Sequence, residues 1–254
     1  ADTQIKWSGG LKLNLTRGVY ARFDEQALRN AMYRPFCAKY LFFNRLLTER
    51  VYQQPQFFPT TASEVESSVI CLPGPGNRKD FGTFVCNAIP ALDFAFEKSQ
   101  CFPFYVYDED GGNRRENITD WALAQYQAQY GAGVSKREIF HYVYALLHHP
   151  QYRARYAENL KRELPRIPFV ALDAFPAFVE TGATLAELHL GYETAPEHPL
   201  TWLENKAIPF SWRVTRMKLT PAKDALVVNP SLTLAGIPAE CFAYRLGNRS
   251  ALEW

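Results

Sequence analysis

The sequence has 254 residues, of which 47% are hydrophobic and 15% aromatic, so the chain can bury a sizeable core and is not intrinsically disordered. No apolar run approaches the ~18 residues that a membrane-spanning helix needs, and we expect no membrane partner. The formal net charge is +2, and the five cysteines form no CxxC pair, a usage that favours a reducing, cytoplasmic location.

The first fifty residues predict extended segments and short helices. Residues 5–21 have the pattern of an extended segment with a Gly-Gly turn, and Asp24 is a suitable N-cap for a helix over 25–32. That helix must end before the following proline, because the residue preceding a proline disfavours the helical region. The other elements predicted here are a turn and strand over 33–43 and a short helix over 44–50.

Residues 68–107 carry the clearest strand patterns. The runs SVICL, FGTFVCNAI and CFPFYVY are rich in β-branched and aromatic residues and are bounded by turn-forming residues, which is typical of strands. A polar loop over 108–117 follows them. From residue 119 the pattern is helical: Thr119 can cap a helix that stops at Gly131, and Ser135 with Glu138 forms a capping-box pattern before IFHYVYALLHH.

The remaining segments complete the predicted fold. Pro150 suits the first position of a following helix, FPAFVETGATLAELHL predicts one more helix, and WRVTRMKLT, ALVVN and SLTLAG predict strands. We therefore predict an α+β protein in which β-rich parts, with hairpins and a mixed or antiparallel sheet, flank a helical segment at about 119–165. The predicted organisation is one domain over 1–254, with a β-rich part (1–113), a mainly helical part (114–200) and a β-rich part (201–254). The tail GNRSALEW predicts the first turn of a truncated helix, capped by Asn248 or Ser250.

Charges of opposite sign alternate in blocks along the chain. The net charges of residues 1–60, 61–113, 114–166, 167–201 and 202–254 are +5, −5, +4, −5 and +3. If the three basic blocks met on one face, a polyanion could bind there while the molecule stayed nearly neutral. Ordinary solvated surface explains the same pattern, and charge alone favours that interpretation.

The stretch LPGPGNRKDFG (72–82) has the outline of a phosphate-binding loop. A P-loop needs GxxxxGK[ST], but Pro75 removes one amide donor and Asp80 stands after Lys79 in place of a hydroxyl residue. The dinucleotide fingerprint GxGxxG also fails, because position 79 is lysine and a strand-like run follows. The stretch therefore predicts a hairpin whose tip presents Arg78 and Lys79, either as a surface turn or as an anion contact.

Catalytic and metal-binding patterns are weak. HExxH and GxSxG are absent, and the histidines at 141, 148 and 149 lack a carboxylate or thiol at zinc spacing, which favours a structural role. The tripeptide Glu204-Asn205-Lys206 matches the Glu-x-Lys of some nucleases, but so short a match arises by chance. NPSL (229–232) lacks the second proline and the aromatic residue of an adenine methyltransferase motif. We predict no catalytic residue, no metal site and no cofactor in this chain.

Seven segments carry a family resemblance. They are YRPF (33–36), LPGPGNRKDF (72–81), QCFPFYVY (100–107), ITDWAL (118–123), the long run over 135–169, LAELHLGYE (185–193) and LTLAGIP (232–238). Together they resemble the C-terminal specificity region of type ISP restriction–modification enzymes, which are single bacterial polypeptides. The resemblance covers nearly the whole chain from about Tyr33, and the run over 135–169 is its most specific part.

This resemblance implies a target-recognition domain that docks on double-stranded DNA and selects the sequence that its parent methylates or cleaves. The parent would join this domain to nuclease, helicase-like ATPase and adenine-N6 methyltransferase parts, and it would continue past Trp254. It would use S-adenosylmethionine, ATP and Mg, none of which this chain is expected to bind.

In such a domain, lysines and arginines would hold phosphates, while loops or a helix in the major groove would read base edges. The candidate DNA contacts are Arg78, Lys79, Arg114, Arg115, Arg213, Arg216 and Lys218. On a regular late strand Arg213 and Arg216 would point to opposite faces, so Arg216 would group with Lys218. Solvated surface is an equal alternative for each of these residues.

Three further interpretations stay open. The helices over 136–164 could read bases, although their aromatic spacing favours core packing. The chain could be a metal-dependent, nuclease-like domain with an acidic site around Glu204 and Lys206. Finally, it could be a protein-docking module that positions the methyltransferase without touching DNA.

Overall fold

The structure is a computed structural model that describes residues 7–48, 50–95 and 98–254. Its contacts divide the chain into two units. Unit 1 ends at Leu190, and unit 2 runs from Gly191 to Trp254. The predicted organisation as one domain stays a prediction.

Unit 1 combines helices with small sheets. Its helices are α1 (Gly9–Thr16), α2 (Gln54–Phe57), α3 (Thr61–Glu66), α4 (Asp120–Tyr130), α5 (Lys136–His148), α6 (Pro150–Arg155), α7 (Ala157–Arg162) and α8 (Phe175–Leu190). Its strands are β1 (Leu28–Arg34), β2 (Cys37–Phe42), β3 (Val69–Leu72), β4 (Phe84–Cys86), β5 (Ile89–Pro90), β6 (Gln100–Pro103), β7 (Tyr105–Val106) and β8 (Arg115–Glu116). The strands pair in the orders β2-β1-β5, β4-β3-β6 and β7-β8. This mixture confirms the predicted α+β class.

Capping residues set the ends of the helical segment as the sequence predicts. The Thr119 side chain accepts a hydrogen bond from Ala122 N–H at the start of α4, and Gly131 follows its last turn. Ser135 and Glu138 form both hydrogen bonds of the capping box at the start of α5. Proline occupies the first position of α6. Local chemistry therefore determines these helix boundaries.

The core of unit 1 lies around α5. The side chains of Ile139, Leu146 and Leu147 in this helix are buried. Helix α5 packs against α8, and the approach is closest at Gly182, where a Cβ atom would overlap the backbone carbonyl of His141. A residue with a side chain at position 182 would push the two helices apart, so this packing requires glycine.

Three predictions in the first fifty residues are wrong, and two of them concern residues 5–21 and 44–50. An extended segment is expected over 5–21, but α1 forms there because the Ser8 side chain accepts a hydrogen bond from Leu11 N–H at 3.3 Å, a cap that the extended interpretation overlooked. The helix expected over 44–50 is replaced by turns at 45–48, where the Asn44 side chain accepts from the N–H two residues later. Residues 1–6 and Glu49 lie outside the described residues.

The helix predicted over 25–32 is also wrong for most of its length. Asp24 caps a helical turn, but that turn is a 3-10 helix over Glu25–Ala27, and the chain then enters β1. This strand pairs with β2 on one edge and β5 on the other, and its buried Arg29 forms an ion pair with Glu64, with 2.8 Å between Nε and Oε1. The hairpin with β2, together with the long-range contacts to β5 and Glu64, outweighs the helix propensity of the local residues.

Unit 2 is built on an antiparallel sheet. Its strands are β9 (Thr201–Glu204), β10 (Lys218–Leu219), β11 (Ala225–Asn229), β12 (Leu232–Ala235), β13 (Arg245–Leu246) and β14 (Arg249–Ser250). The sheet order is β10-β11-β12-β9, and β13 pairs with β14 in a separate hairpin. Ser250, one of the two predicted caps, occupies the N-cap position of a 3-10 turn over Ala251–Glu253, where its backbone N–H donates to Glu253 Oε2 at 2.9 Å. In the described part of the chain no helix is long and apolar enough to cross a membrane.

The prediction of a strand over WRVTRMKLT is wrong for most of its length. Only Lys218 and Leu219 pair with β11, whereas Arg213 and Arg216 lie in the loop between β9 and β10. The opposite-face argument for these two arginines therefore does not apply. The reason is tertiary: the Asn229 side chain bonds to the backbone carbonyls of Ser211 and Arg213 in place of a neighbouring strand.

Candidate nucleic-acid interface

The hairpin predicted around LPGPGNRKDFG is confirmed, but its loop is not a free tip. Strands β3 and β4 are antiparallel, and the loop over 73–83 packs on the helical part of unit 1. Gly76, with φ +77°, donates its N–H to the carbonyl of Lys161 in α7 at 2.9 Å, and the buried Asn77 side chain donates to Lys79 O at 2.9 Å. The Gly76 N–H already donates to a protein carbonyl, whereas an amide that binds phosphate donates to the ligand.

This packing brings the cations of the loop to a basic part of the helical segment. Arg78 is exposed and Lys79 half-buried. Their loop contacts α7, which carries the exposed Arg162, and the guanidinium of Arg153 lies 5.8 Å from the Phe81 ring centroid. The structure therefore joins parts of the second and third charge blocks on unit 1.

The arginines of the 108–117 segment are already paired with carboxylates. Arg114 forms an ion pair with Glu66, and its guanidinium lies 4.7 Å from the Tyr105 ring centroid. The neighbouring Glu66 charge raises the pKa of Arg114. Arg115 lies 3.1 Å from Asp108. A DNA phosphate at either arginine would have to compete with an existing carboxylate partner, so these two residues are the weaker candidates.

The lysines and arginines between residues 205 and 218 have a different environment from Arg114 and Arg115. We call residues 205–217, between β9 and β10, the basic loop; Lys206, Arg213 and Arg216 lie in it, and Lys218 directly follows it. All four side chains are exposed. Within the described part of the chain, none of them forms an ion pair with a carboxylate. Their charge is therefore available to an anionic partner.

Buried polar side chains hold the basic loop in place. The Nδ2 atom of Asn229 donates to Ser211 O at 2.7 Å and to Arg213 O at 3.0 Å, while Ser231 Oγ accepts from Ser211 N–H at 3.0 Å. Asn229 and Ser231 are almost fully buried, and both hydrogen bonds of Ser231 to Asn229 Oδ1 measure 2.8 Å. The NPSL tetrapeptide thus fastens this loop to the turn between β11 and β12.

Three exposed aromatic residues accompany these cations. We call Trp202, Phe210 and Trp212 the aromatic cluster. The Trp212 ring centroid lies 5.0 Å from that of Trp202 and 4.9 Å from that of Phe210, both at nearly perpendicular ring planes. Trp212 remains 63% exposed. Sequence reasoning named the neighbouring cations but missed this cluster, although aromatic residues among unpaired cations are a signal of nucleic-acid binding.

The aromatic residues of the helical part have the opposite environment. The hydroxyl of Tyr142 donates to Pro168 O at 2.5 Å, and that of Tyr152 donates to Arg166 O at 2.7 Å; both side chains are buried. Tyr144 accepts from Val85 N–H at 3.0 Å and contacts His189 Nδ1 at 2.5 Å. Core packing, the favoured interpretation of these aromatic residues, is confirmed.

The buried histidines belong to the same core. Burial lowers the pKa of His148 to about 3 and that of His189 to about 4. Each therefore remains neutral around pH 7, as hydrogen bonding inside an apolar core requires. The described residues include no group of three His, Cys, Asp or Glu side chains placed to hold a metal ion.

The YRPF tetrapeptide is a turn next to a cleft in unit 1. Arg34 donates to Asp93 O at 2.7 Å, and the Phe36 ring packs edge-on against Phe84 at 5.0 Å between centroids. Tyr33 lies beside Lys39, with 5.2 Å between Nζ and the ring centroid, and both line a cleft of about 980 Å³. Arg34 and Phe36 therefore hold the turn, while Tyr33 faces the cleft.

The comparisons identify the class of protein. A family model described as the Type ISP C-terminal specificity domain matches residues 1–254, and the chain belongs to this family. The resemblance inferred from the motifs is thereby confirmed. No curated protein matches the chain significantly.

Solved structures are similar to this chain over almost its whole length. A cryo-EM structure of a DrdV–DNA complex has a TM-score of 0.88 and 37% identity, and covers 100% of this chain and 26% of its own. A nuclease-deletion mutant of the Type ISP restriction–modification enzyme LlaGI, in complex with a DNA substrate mimic, has a TM-score of 0.82 and 33% identity, with 98% and 22% covered. The ATP-dependent Type ISP enzyme LlaBIII bound to DNA has a TM-score of 0.85 and 28% identity, with 98% and 17% covered. The chain spans about a quarter or less of these proteins.

Proposed function

We propose that this chain recognises a specific double-stranded DNA sequence as the target-recognition part of a longer bacterial restriction–modification enzyme. The observation that carries the proposal is similarity along almost the full chain to three enzymes whose structures contain DNA or a DNA mimic. The family description, a specificity domain, supports selection of a target and not chemistry for this chain.

The basic loop is the principal phosphate contact in this proposal, because its cations are exposed and lack carboxylate partners among the described residues. Arg78 and Lys79 provide a second contact, on unit 1. Arg114 and Arg115 contribute less, since Glu66 and Asp108 already neutralise them. Salt dependence should follow this order, because each phosphate contact releases counterions from the DNA.

The chemistry then belongs to the rest of the parent polypeptide. We propose that methyltransferase and helicase-like parts, joined to this domain in the same cytoplasmic chain, methylate adenine N6 and drive ATP-dependent cleavage. S-adenosylmethionine, ATP and Mg would bind in those parts. The present chain would hold them at the selected sequence.

A matched pair of double variants tests the DNA contacts. Arg213→Ala/Arg216→Ala and Arg114→Ala/Arg115→Ala remove the same charge, and binding of each 254-residue protein to a labelled duplex is measured by fluorescence anisotropy at several salt concentrations. The first variant should reduce the slope of log K against log salt by up to about 1.8, at about 0.9 per phosphate contact, and the second by much less. Equal effects would contradict the assignment of the basic loop.

The proposal as a whole is tested by mapping methylated sites in DNA exposed to the intact parent. We expect one defined adenine-containing sequence. A parent that modifies no defined sequence, or a 254-residue chain that shows no salt-sensitive DNA binding, would overturn the proposal and favour a protein-docking module.

A further inference from the structure

The aromatic cluster of unit 2 is a surface that phosphate binding alone does not explain. We propose that Trp212 stacks on a DNA base that has left the double helix, with Trp202 and Phe210 packed edge-to-face beside it, while the basic loop holds the backbone of the same strand. This inference rests on the proposed function, since it deepens how the domain engages DNA.

The exposed rings of the aromatic cluster lie on a backbone that buried side chains hold in place. In a poorly held loop, side chains are exposed because no buried group anchors the backbone. Here the backbone of Ser211 and Arg213 forms hydrogen bonds with the buried side chains of Asn229 and Ser231. The residue between them, Trp212, is still 63% exposed. A rigid backbone that presents a large ring to solvent loses little conformational entropy on binding, which is the arrangement expected of a recognition anchor.

The ring geometry favours a flat, unpaired ligand. Trp202 and Phe210 meet Trp212 at interplanar angles of 82° and 87°, so the three rings do not cover one another by parallel stacking. Inside a duplex each base face is already covered by its neighbours. A base that is unpaired and unstacked offers a whole face to such a ring, and any base can do so because all have a π-face.

The surrounding charge identifies the ligand as a nucleic acid. The stretch from β9 to β10 contains Lys206, Arg213, Arg216 and Lys218 but a single acidic residue, Glu204. Exposed aromatic rings interleaved with cations combine stacking with attraction to phosphates, as in surfaces that bind single strands. A protein partner of ordinary composition would gain from the rings but would leave these cations without counter-charges.

The test compares two labelled DNA duplexes of identical sequence, one fully paired and one with a single unpaired adenine. The 254-residue protein should bind the second duplex more tightly. Trp212→Ala should reduce affinity for it by roughly 5- to 160-fold, the range for loss of one stacked base, and should change affinity for the paired duplex by less than about 2-fold. With 2-aminopurine at the unpaired position, binding of the native protein should quench its fluorescence and binding of the variant should not.

Trp121→Ala is the matched control, because Trp121 is 74% exposed but lies on α4 in unit 1. It should leave both affinities unchanged. Trp212→Phe keeps an aromatic ring and should retain most of the preference, which separates stacking from loss of loop structure.

The outcomes distinguish this inference from the proposed function. Salt-sensitive binding of both duplexes with equal affinity, or an equal effect of Trp212→Ala on both, would overturn the stacking site and leave target recognition intact. Failure of the native protein to bind either duplex would overturn both. If Trp212→Ala changes neither affinity, the cluster faces another part of the parent polypeptide and the stacking site is refuted.

Discussion

Aromatic residues serve opposite purposes in the two units. In unit 1, Phe175 is 4% exposed and stacks on Tyr130 with 4.0 Å between ring centroids, inside a core whose tyrosine hydroxyls are bonded to backbone carbonyls. In unit 2, the buried polar groups support the backbone and leave the rings of Trp212 and its neighbours in solvent. A core aromatic residue therefore differs from a candidate ligand contact in whether its ring is buried and in whether the nearby polar groups bond to the aromatic side chain or to the backbone. Residue type does not separate them.

The variants with the largest expected difference in stability test this comparison directly. Phe175→Ala should lower the free energy of unfolding by about 3–5 kcal/mol, because it leaves a cavity among packed rings. Phe210→Ala, on the 42% exposed residue of the aromatic cluster, is the matched change and should cost far less. Urea unfolding followed by circular dichroism measures both; similar losses would mean that the cluster is part of a core.

The contact between α5 and α8 gives the next effect. Gly182→Ala should destabilise the protein by about 3 kcal/mol, since the added Cβ overlaps a backbone carbonyl that cannot rotate away. Gly133→Ala is the control, because a Cβ atom added at Gly133 would have no other atom within 4 Å. Thermal unfolding of the two variants should differ clearly, and equal melting temperatures would contradict the close helix approach.

Loss of the Asn229 anchor should lower the stability of unit 2 by a smaller amount, but it should also weaken DNA binding. Asn229→Ala removes both donor contacts to the basic loop and should cost about 2 kcal/mol of stability. DNA affinity should fall as well, although Asn229 is buried and cannot contact DNA. The exposed Asn248→Ala should change neither quantity. An Asn229 variant with normal DNA affinity would show that the loop needs no anchor.

The effect expected per pH unit is the smallest, and it concerns unit 1. Because burial holds the pKa of His189 at about 4, the native state binds fewer protons than the unfolded state, whose histidines titrate near pH 6.5. Stability should therefore be constant above about pH 7 and fall with decreasing pH between about 6.5 and 4, by up to about 1.4 kcal/mol per unit for this histidine. His189→Asn should make the curve less steep, while His148, whose pKa burial lowers to about 3, keeps part of the slope. The exposed His198→Asn should leave the slope unchanged; parallel curves for all three proteins would contradict the buried neutral histidine.

The sequence alone determined the elements whose signals are local. Thr119, Ser135 and Glu138 satisfy N–H groups within a few residues of their own positions, so the starts of α4 and α5 could be predicted from spacing. The strand character of β3, β4, β11 and β12 followed from their β-branched and aromatic residues. Family membership also followed from the sequence, because long matched runs such as 135–169 are highly specific.

Tertiary structure decided the features that depend on distant partners. β1 forms a strand where the sequence favours a helix, because it pairs with β2 across a tight turn and with the distant β5 on its other edge. The same holds for the candidate site: Glu66 neutralises Arg114 from another segment, and Asn229 turns a predicted strand into a loop with an exposed tryptophan. Spacing along the chain does not specify such partners, since a salt bridge or a buried amide acts through space and not through sequence neighbours.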